Sequence, residues 1–381
     1  MRPIPVLVAC VLCVLFAPLS VLASTGAFPQ AWKARTYVTI HQRTQMLGEG
    51  YSPAQIRHAY GLDQTANDGS GIVVGIVDAY HDPQAAANLA TFSAAFKLPA
   101  LNGTPGHPPC SVSAGPHPCL EIRSSSTKAN SGWATETNLD LQWAHSAAPG
   151  SDILLVEAAD ASLAKLLQAV DVAQSSAKIV SMSWGGPEFS KEDQTGHLAS
   201  PHIAYVAASG DSGHGPSFPA ALDNVLAVGG TTLKLDAQGK RTSAETGWAG
   251  SGGGLSTRIK APPYQAYMPN HAAHRSIPDV SLNSDPATGY AVYSDGYWLE
   301  VGGTSAATPQ WAGMLAVAQQ GSGHTPSLPD IYKAANFPGV FTDIHQGRNG
   351  PCKTACLAAA GYDMVTGLGT PLAGALFGKL K

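Results

Sequence analysis

Three short stretches of the 381-residue sequence carry side chains that could do chemistry together. The first is Gly302-Gly303-Thr304-Ser305-Ala306-Ala307-Thr308-Pro309, with Ser305 at the head of a run, TPQWAGMLAVAQQ, that reads as a helix. A hydroxyl placed there can serve as a nucleophile, because backbone N–H groups and the positive end of a helix dipole favour a developing oxyanion. Pro309 is expected in the first turn of that helix. The second stretch is Trp133-Ala134-Thr135-Glu136-Thr137-Asn138-Leu139-Asp140, also helical in pattern. Glu136 and Asp140 are four apart, so both carboxyl groups project from one face. Two neighbouring carboxylates cannot both ionise cheaply, so they share a proton and titrate as a pair. The third is Ala207-Ala208-Ser209-Gly210-Asp211-Ser212-Gly213, which leaves a strand and enters a turn. Taken singly, these would read as an N-cap serine, a solvated helix face and a strand-end turn.

These residues must be held by the elements around them, and the pattern of those elements is α/β. Ile72–Tyr80 (IVVGIVDAY) reads as a buried strand and Pro83–Leu98 as a helix, with Pro99–Ser131 a Gly-, Pro-, Ser- and Cys-rich loop. A helix over Trp133–Ser146, a strand over Asp152–Glu157 and a helix over Ala161–Ser175 follow. Strands are then expected at Lys178–Trp184, His202–Ser209 and Asn224–Thr231. Such alternation implies one domain with a mostly parallel central sheet and helices on both faces, here spanning residues 52–381.

The Gly-Thr-Ser-x-x-x-Pro segment around Ser305 resembles the nucleophile motif of subtilisin-like peptidases. A subtilisin also has a catalytic histidine in a His-Gly-Thr-His segment, and none of the 13 histidines stands in one. The helix with Glu136 and Asp140 occupies that place. With Ser-Gly-Asp-Ser-Gly, Ser251-Gly252-Gly253-Gly254-Leu255-Ser256 and Pro278-Asp279-Val280-Ser281 in order, residues 51–371 resemble the sedolisins, the serine-carboxyl peptidases. The resemblance implies a subtilisin-like fold and hydrolysis of peptide bonds in proteins or peptides, as an endopeptidase or a tripeptidyl-peptidase. It makes Ser305 the nucleophile, Glu136 the general base and acid, Asp140 the partner of Glu136, and Asp211 the oxyanion-hole donor. Asp78 and Trp184 would extend the hydrogen-bond network, and Ser183 and Gly185 would pair with substrate backbone.

The substitutions make chemical sense together. A histidine with an ordinary pKa near about 6.5 is already protonated in acid, whereas a carboxylate stays partly ionised there. Asp211 can donate to an oxyanion only while it holds its proton, so activity is expected to fade towards neutral pH.

Near the C-terminus, Phe341-Thr342-Asp343-Ile344 and Ala359-Ala360-Gly361-Tyr362-Asp363 resemble the family's calcium site. The carry-over assigns one structural calcium ion to the side chains of Asp343 and Asp363 and the carbonyls of Ile344, Ala359 and Gly361. Ala359 stands where the family usually has glycine.

Competing readings can be stated on the same residues. Gly-Asp-Ser-Gly resembles the nucleophile segment of chymotrypsin-like peptidases, with Ser212 attacking, but that requires an all-β double barrel. A histidine-dependent subtilisin would use Asp78 and Ser305 with His81 or His145. A non-catalytic sedolisin-like exported binding protein is the remaining alternative; an intact set of Glu136, Asp140, Asp211 and Ser305 argues against it.

Composition bounds the rest. Apolar residues make up 44% of the chain, enough for a sizeable core, and a net charge of −4 without a basic tract argues against nucleic acid and anionic membranes as partners. Charged residues are only 13%, so few ion pairs are lost when carboxylates protonate. Residues 1–23 read as a signal peptide, with Arg2, an apolar stretch and Val21-Leu22-Ala23 at its end, implying a secreted or periplasmic monomer with no membrane anchor. The four later cysteines are expected to pair locally, Cys110–Cys119 and Cys352–Cys356, against a four-thiolate metal site. Sedolisins usually carry a large prosegment that blocks the site; here a short leader, Ser24–Tyr51, stands between the signal and the domain.

Overall fold

The computed structural model describes residues 29, 31–48, 50–266 and 272–380; the expected signal peptide, 1–23, lies outside them. In chain order the elements that build the site are strands β1 (Arg35–Thr36) and β2 (Thr39–Thr44), helix α1 (Pro53–Ala59), β3 (Val73–Ala79), α2 (Ala85–Phe96), β4 (Leu120–Ser124), α3 (Ser131–Ala147), β5 (Asp152–Ala158), α4 (Leu163–Gln174) and β6 (Ile179–Met182). There follow β7 (Trp184–Gly185), β8 (Ala204–Ala208), β9 (Val225–Thr232), β10 (Thr246–Gly247), β11 (Gly254–Lys260), β12 (His274–Ile277), β13 (Val280–Asn283), β14 (Tyr290–Ser294), β15 (Tyr297–Gly302) and α5 (Thr304–Ser322). Strands β4, β5, β3, β6, β8, β9 and β13 pair in parallel, in that spatial order, and β10 joins β9 antiparallel.

The alternation of side chains along the strands decides which layer each residue joins. Val74 and Ile76 of β3, with Ile153 and Leu155 of β5, face a core containing Leu139 and Trp143 of α3 and Trp311 and Met314 of α5. Val77, Leu154 and Val156 face the opposite core, with Leu166, Leu167 and Val170 of α4. The sheet is therefore buried on both faces, as a parallel sheet requires.

Two expectations are corrected. The stretch 99–131 is not one loop, since Leu120–Ser124 forms an edge strand against β5. Its Leu-Glu-Ile-Arg alternation is half polar because only one side of an edge strand is packed. Pro309 lies in the second turn of α5, not the first. A proline there cannot supply the N–H that would bond the Ser305 carbonyl, and Ser183 Oγ stands 3.4 Å from that carbonyl. The local disulfides Cys110–Cys119 and Cys352–Cys356 are both formed, with Cα separations of 5.9 and 5.3 Å, and this removes the four-thiolate alternative.

Beside the start of β9, Arg275 and Asp279 form a fully buried bidentate pair at 2.6 and 2.7 Å. Asp279 also accepts the Ala227 N–H and the Tyr332 hydroxyl, while Arg275 donates to the carbonyls of Val225 and Ser276. Arg275→Met leaves that carboxylate buried without its counter-charge. The expected cost is about 3–5 kcal/mol, read as a lowered urea midpoint.

Candidate active site

The site forms where β3, α3, β6–β7, β8 and α5 meet. Asp78 shares the face of β3 that carries Val74 and Ile76, so it points at α3. The Asn130 side chain caps α3 by accepting the N–H groups of Gly132 and Trp133 at 3.1 and 3.2 Å. Glu136 and Asp140, one turn apart on that helix, are fully buried. Ser305 sits in the first turn of α5, just after Gly303, whose φ of 114° suits glycine.

Ser305 Oγ lies beside Glu136 but donates to the Ser183 carbonyl at 3.2 Å. Ser183 Oγ donates in turn to Asp140 Oδ1 at 2.8 Å. Burial raises the Glu136 pKa well above the ordinary value, and the charge of Asp78 raises it further, while the Ser305 hydroxyl acts the other way. Burial, then Asp78 and Glu136, likewise raise Asp140. Asp78 is pushed up to about 7 by burial, offset in part by the hydroxyl of Thr137. Three carboxyl groups thus crowd one dry region, where they can hold protons that solvated acids would lose.

Asp211 is held from the other side. Its Oδ1 accepts the N–H and the hydroxyl of Thr304, each at 2.8 Å, and burial pushes its pKa up to about 7. Its Oδ2 is buried and has no hydrogen-bond partner among the described residues. A side chain added at Gly303 would meet both that oxygen and the Tyr37 carbonyl, so Oδ2 and the Tyr37 backbone lie close together at Gly303.

Trp184 donates its indole N–H to the Val77 carbonyl at 2.8 Å, next to Asp78 and not to a carboxylate. The two histidines of the alternative scheme are engaged elsewhere. His145 is buried, bonded to the Pro99 carbonyl at 2.8 Å and depressed to about 4 by burial, and His81 pairs with Glu157 at 2.6 Å.

The stretch read as a separate leader passes through this site. β1 pairs antiparallel with β7, Arg35 opposite Gly185 and Thr36 opposite Trp184. The Tyr37 N–H donates to Ser305 Oγ at 3.1 Å, and β2 continues as a strand against β15. Trp184 and Gly185 thus pair with backbone of the chain's own leader. Three contributors were missed in the sequence: Tyr37, Thr304 as the anchor of Asp211, and Ser183 as donor to Asp140. Only Thr304, adjacent to Ser305, carried a signal.

At the far end of the chain, Asp343 Oδ2 accepts the Gly361 N–H at 2.7 Å and Asp363 Oδ2 accepts the Ala359 N–H at 2.9 Å. Both carboxyl groups therefore converge on the 359–361 loop. Two carboxylates at one loop are the ligand type a hard cation takes, but here the oxygens that face the loop accept N–H groups, and Asp343 Oδ2 also meets His345 Nε2 at 3.0 Å. Asp363 also accepts the N–H groups of Val365 and Thr366.

A sequence profile of the subtilase family matches residues 128–330. Kumamolisin of Bacillus sp. (strain MN-32) is 34% identical over 276 residues, covering 62% of this chain and 49% of that protein. Sedolisin of Pseudomonas sp. (strain 101) is 32% identical over 167 residues, covering 40% and 28%. The dog tripeptidyl-peptidase 1 is 32% identical over 209 residues, covering 44% and 36%. The chain thus spans about half the length, or less, of these relatives. The structure of Pseudomonas sedolisin, a serine-carboxyl proteinase, in complex with pseudo-iodotyrostatin superposes with a TM-score of 0.74 at 24% identity, covering 87% of this chain and 98% of that one. This last match bears on the fold alone.

Proposed function

Since the chain belongs to the subtilase family, in its sedolisin branch, we propose that it is an exported serine-carboxyl peptidase that hydrolyses protein or peptide substrates in acid. One observation carries the reading: Ser305 Oγ lies beside Glu136, and Asp211, whose Oδ2 is buried and unpartnered, is anchored by Thr304, the residue before the serine.

In the reaction, the Ser305 hydroxyl turns from the Ser183 carbonyl to Glu136 and gives up its proton as Oγ attacks the substrate carbonyl carbon. Asp140, fixed by Ser183 Oγ, holds the shared proton of the carboxyl pair. Asp78 lies behind them as a positioning residue whose charge keeps the pair protonated longer. The oxyanion receives a hydrogen bond from protonated Asp211 Oδ2, in a water-poor pocket where such bonds are strong. Glu136 then returns the proton to the leaving amine, and water reverses the sequence to free the acid product.

Calcium, if bound, would be held by Asp343 and Asp363 with the carbonyls of Ile344, Ala359 and Gly361, and would tie the C-terminal loops together. Dialysis against a chelator is then expected to lower Tm by several degrees. At one hundred times Kd the ion contributes about 2.7 kcal/mol, which converts to Tm at about 2–4 °C per kcal/mol for a domain of this size. An unchanged melting curve removes calcium from the description.

Export rests on the sequence of residues 1–23. No helix among the described residues is long and apolar enough to cross a membrane. The peptidase reading is tested by digestion of unfolded casein across pH 3–8 with wild type and Ser305→Ala, products identified by mass spectrometry. Serine-dependent cleavage in acid supports it; no cleavage at any pH refutes it.

A further inference from the structure

The leader occupies the cleft as a substrate would, and its side chains show what the cleft recognises. Tyr37 is only 2% exposed. A Cβ on Gly303 would strike its carbonyl oxygen at 1.8 Å, so this carbonyl lies in front of Asp211 and at the nucleophile. Tyr37 is therefore the residue on the acyl side of the bond presented to Ser305, and Val38 supplies the leaving amine. Its ring fills a pocket that exists because two walls are glycines. A Cβ on Gly185 would meet the Tyr37 hydroxyl at 2.6 Å, and one on Gly210 would lie 3.7 Å from the ring. The Tyr37 hydroxyl is buried and makes no hydrogen bond among the described residues, while the neighbouring Ser217 hydroxyl donates to the Ser209 carbonyl.

The chain does not stop three residues upstream. Ala34 N–H donates to the Ala161 carbonyl at 2.9 Å, and Lys33 forms a bridge with Ser162. Trp32, 7% exposed, packs its edge against Phe218 and Phe189, with ring centroids at 5.9 and 6.5 Å, and donates its indole N–H to the Pro187 carbonyl at 2.9 Å. Gly186 leaves room for that indole, since a Cβ there would approach it at 2.6 Å. A tripeptidyl-peptidase has to close its cleft beyond the third residue to hold a free amino terminus. This cleft is open there and furnished with a second aromatic pocket five residues above the first.

We propose that this site is that of an endopeptidase which reads two aromatic side chains, a tyrosine at the cleaved bond and a tryptophan-sized ring five residues upstream. The proposal rests on the peptidase reading above. In the leader's own case, Ser305 Oγ would bond to the Tyr37 carbonyl carbon, the Tyr37–Val38 bond would break, and the serine proton would pass through Glu136 to the Val38 amine. Water then hydrolyses the ester, leaving a carboxylate on Tyr37 and regenerating Ser305.

The test uses the full chain with an amino-blocked synthetic peptide, acetyl-WKARTYVTIHQ-amide, whose competitor, the tethered leader, is the same for every peptide compared. Cleavage is expected between Tyr and Val. Replacing that Tyr by Ala should lower kcat/KM by about 10–200-fold, and replacing the Trp by Ala by about 10-fold or more without moving the cut. Two results would overturn the proposal: equal cleavage of all three peptides, or no cleavage of the blocked peptide while its free-amine form loses tripeptides. Casein digestion separates the two levels. If casein is cut in a Ser305-dependent way but the peptides are not distinguished, only this inference fails; if casein is untouched, the peptidase reading fails and this inference with it.

Discussion

Ser305→Ala is expected to remove peptide hydrolysis by on the order of 10⁴–10⁶ in kcat while leaving the fold intact. The substitution deletes one oxygen from a fully buried position in the first turn of α5, where alanine is a good helix former. The lost contacts are the Tyr37 N–H bond at 3.1 Å and the Ser183 carbonyl bond at 3.2 Å, neither of which ties the core together. Glu136→Gln should cost a similar factor, because a glutamine cannot take the serine proton. The double variant should cost little more than either, since nucleophile and base act as one unit. Initial rates on casein at pH 4, with circular dichroism as a check on folding, measure this. A fully active Ser305→Ala chain would remove the assigned nucleophile.

The second large effect is on pH dependence. Burial pushes Asp211 up to about 7, and in the proposed role of oxyanion donor it acts only while it holds its proton. Activity should therefore fall as pH rises through about 7. Asp211→Asn keeps a donor at every pH and still accepts from Thr304, so its alkaline limb should move up by a unit or more, at some cost in rate at the acid optimum. An active Asn variant with an unmoved limb would assign that limb to another group. The same shifts bear on stability, with a definite sign. An aspartate titrates near about 3.9 when unfolded, whereas burial holds Asp78 and Asp211 protonated to about 7 in the folded chain. The folded state binds more protons between these values, so stability is fully present below about 4 and declines as pH rises towards 7. Glu136 and Asp140, raised in the same direction, add to that slope. Urea midpoints that increase from pH 4 to 7 would contradict this.

Much of the architecture was legible because parallel strands buried on both faces read as continuous apolar runs. IVVGIVDA is such a run, and β3 lies within it. The E-x-x-x-D spacing on α3 was legible for a similar reason, since helix geometry alone puts Glu136 and Asp140 together. Contacts between distant segments were not. Nothing near Asp211 indicates that Thr304, 93 residues away, holds its Oδ1. The leader was the largest gap. Residues 39–44 have no strong strand pattern, because their pairing comes from the edge that β15 offers and not from a buried face of their own. β2 is exposed along almost its whole length. Pro309 was misplaced by one turn because propensity favours proline at a helix start, whereas here it stands one turn further in, where the Ser305 carbonyl loses its helical N–H partner.

A segment tied to the same chain that it occupies does not obey dilution. A short tether keeps its end at an effective concentration in the millimolar range, whatever the concentration of the protein. Lowering the enzyme concentration therefore cannot empty the cleft, and a diffusing peptide has to compete with a neighbour that never leaves. Two kinds of event change that balance: cutting the tether, or weakening the grip of Trp32 and Tyr37 on their pockets. On the proposed reading, substrate access is set by a covalent history, and two preparations of identical sequence would differ in KM according to whether the bond after Tyr37 is still whole.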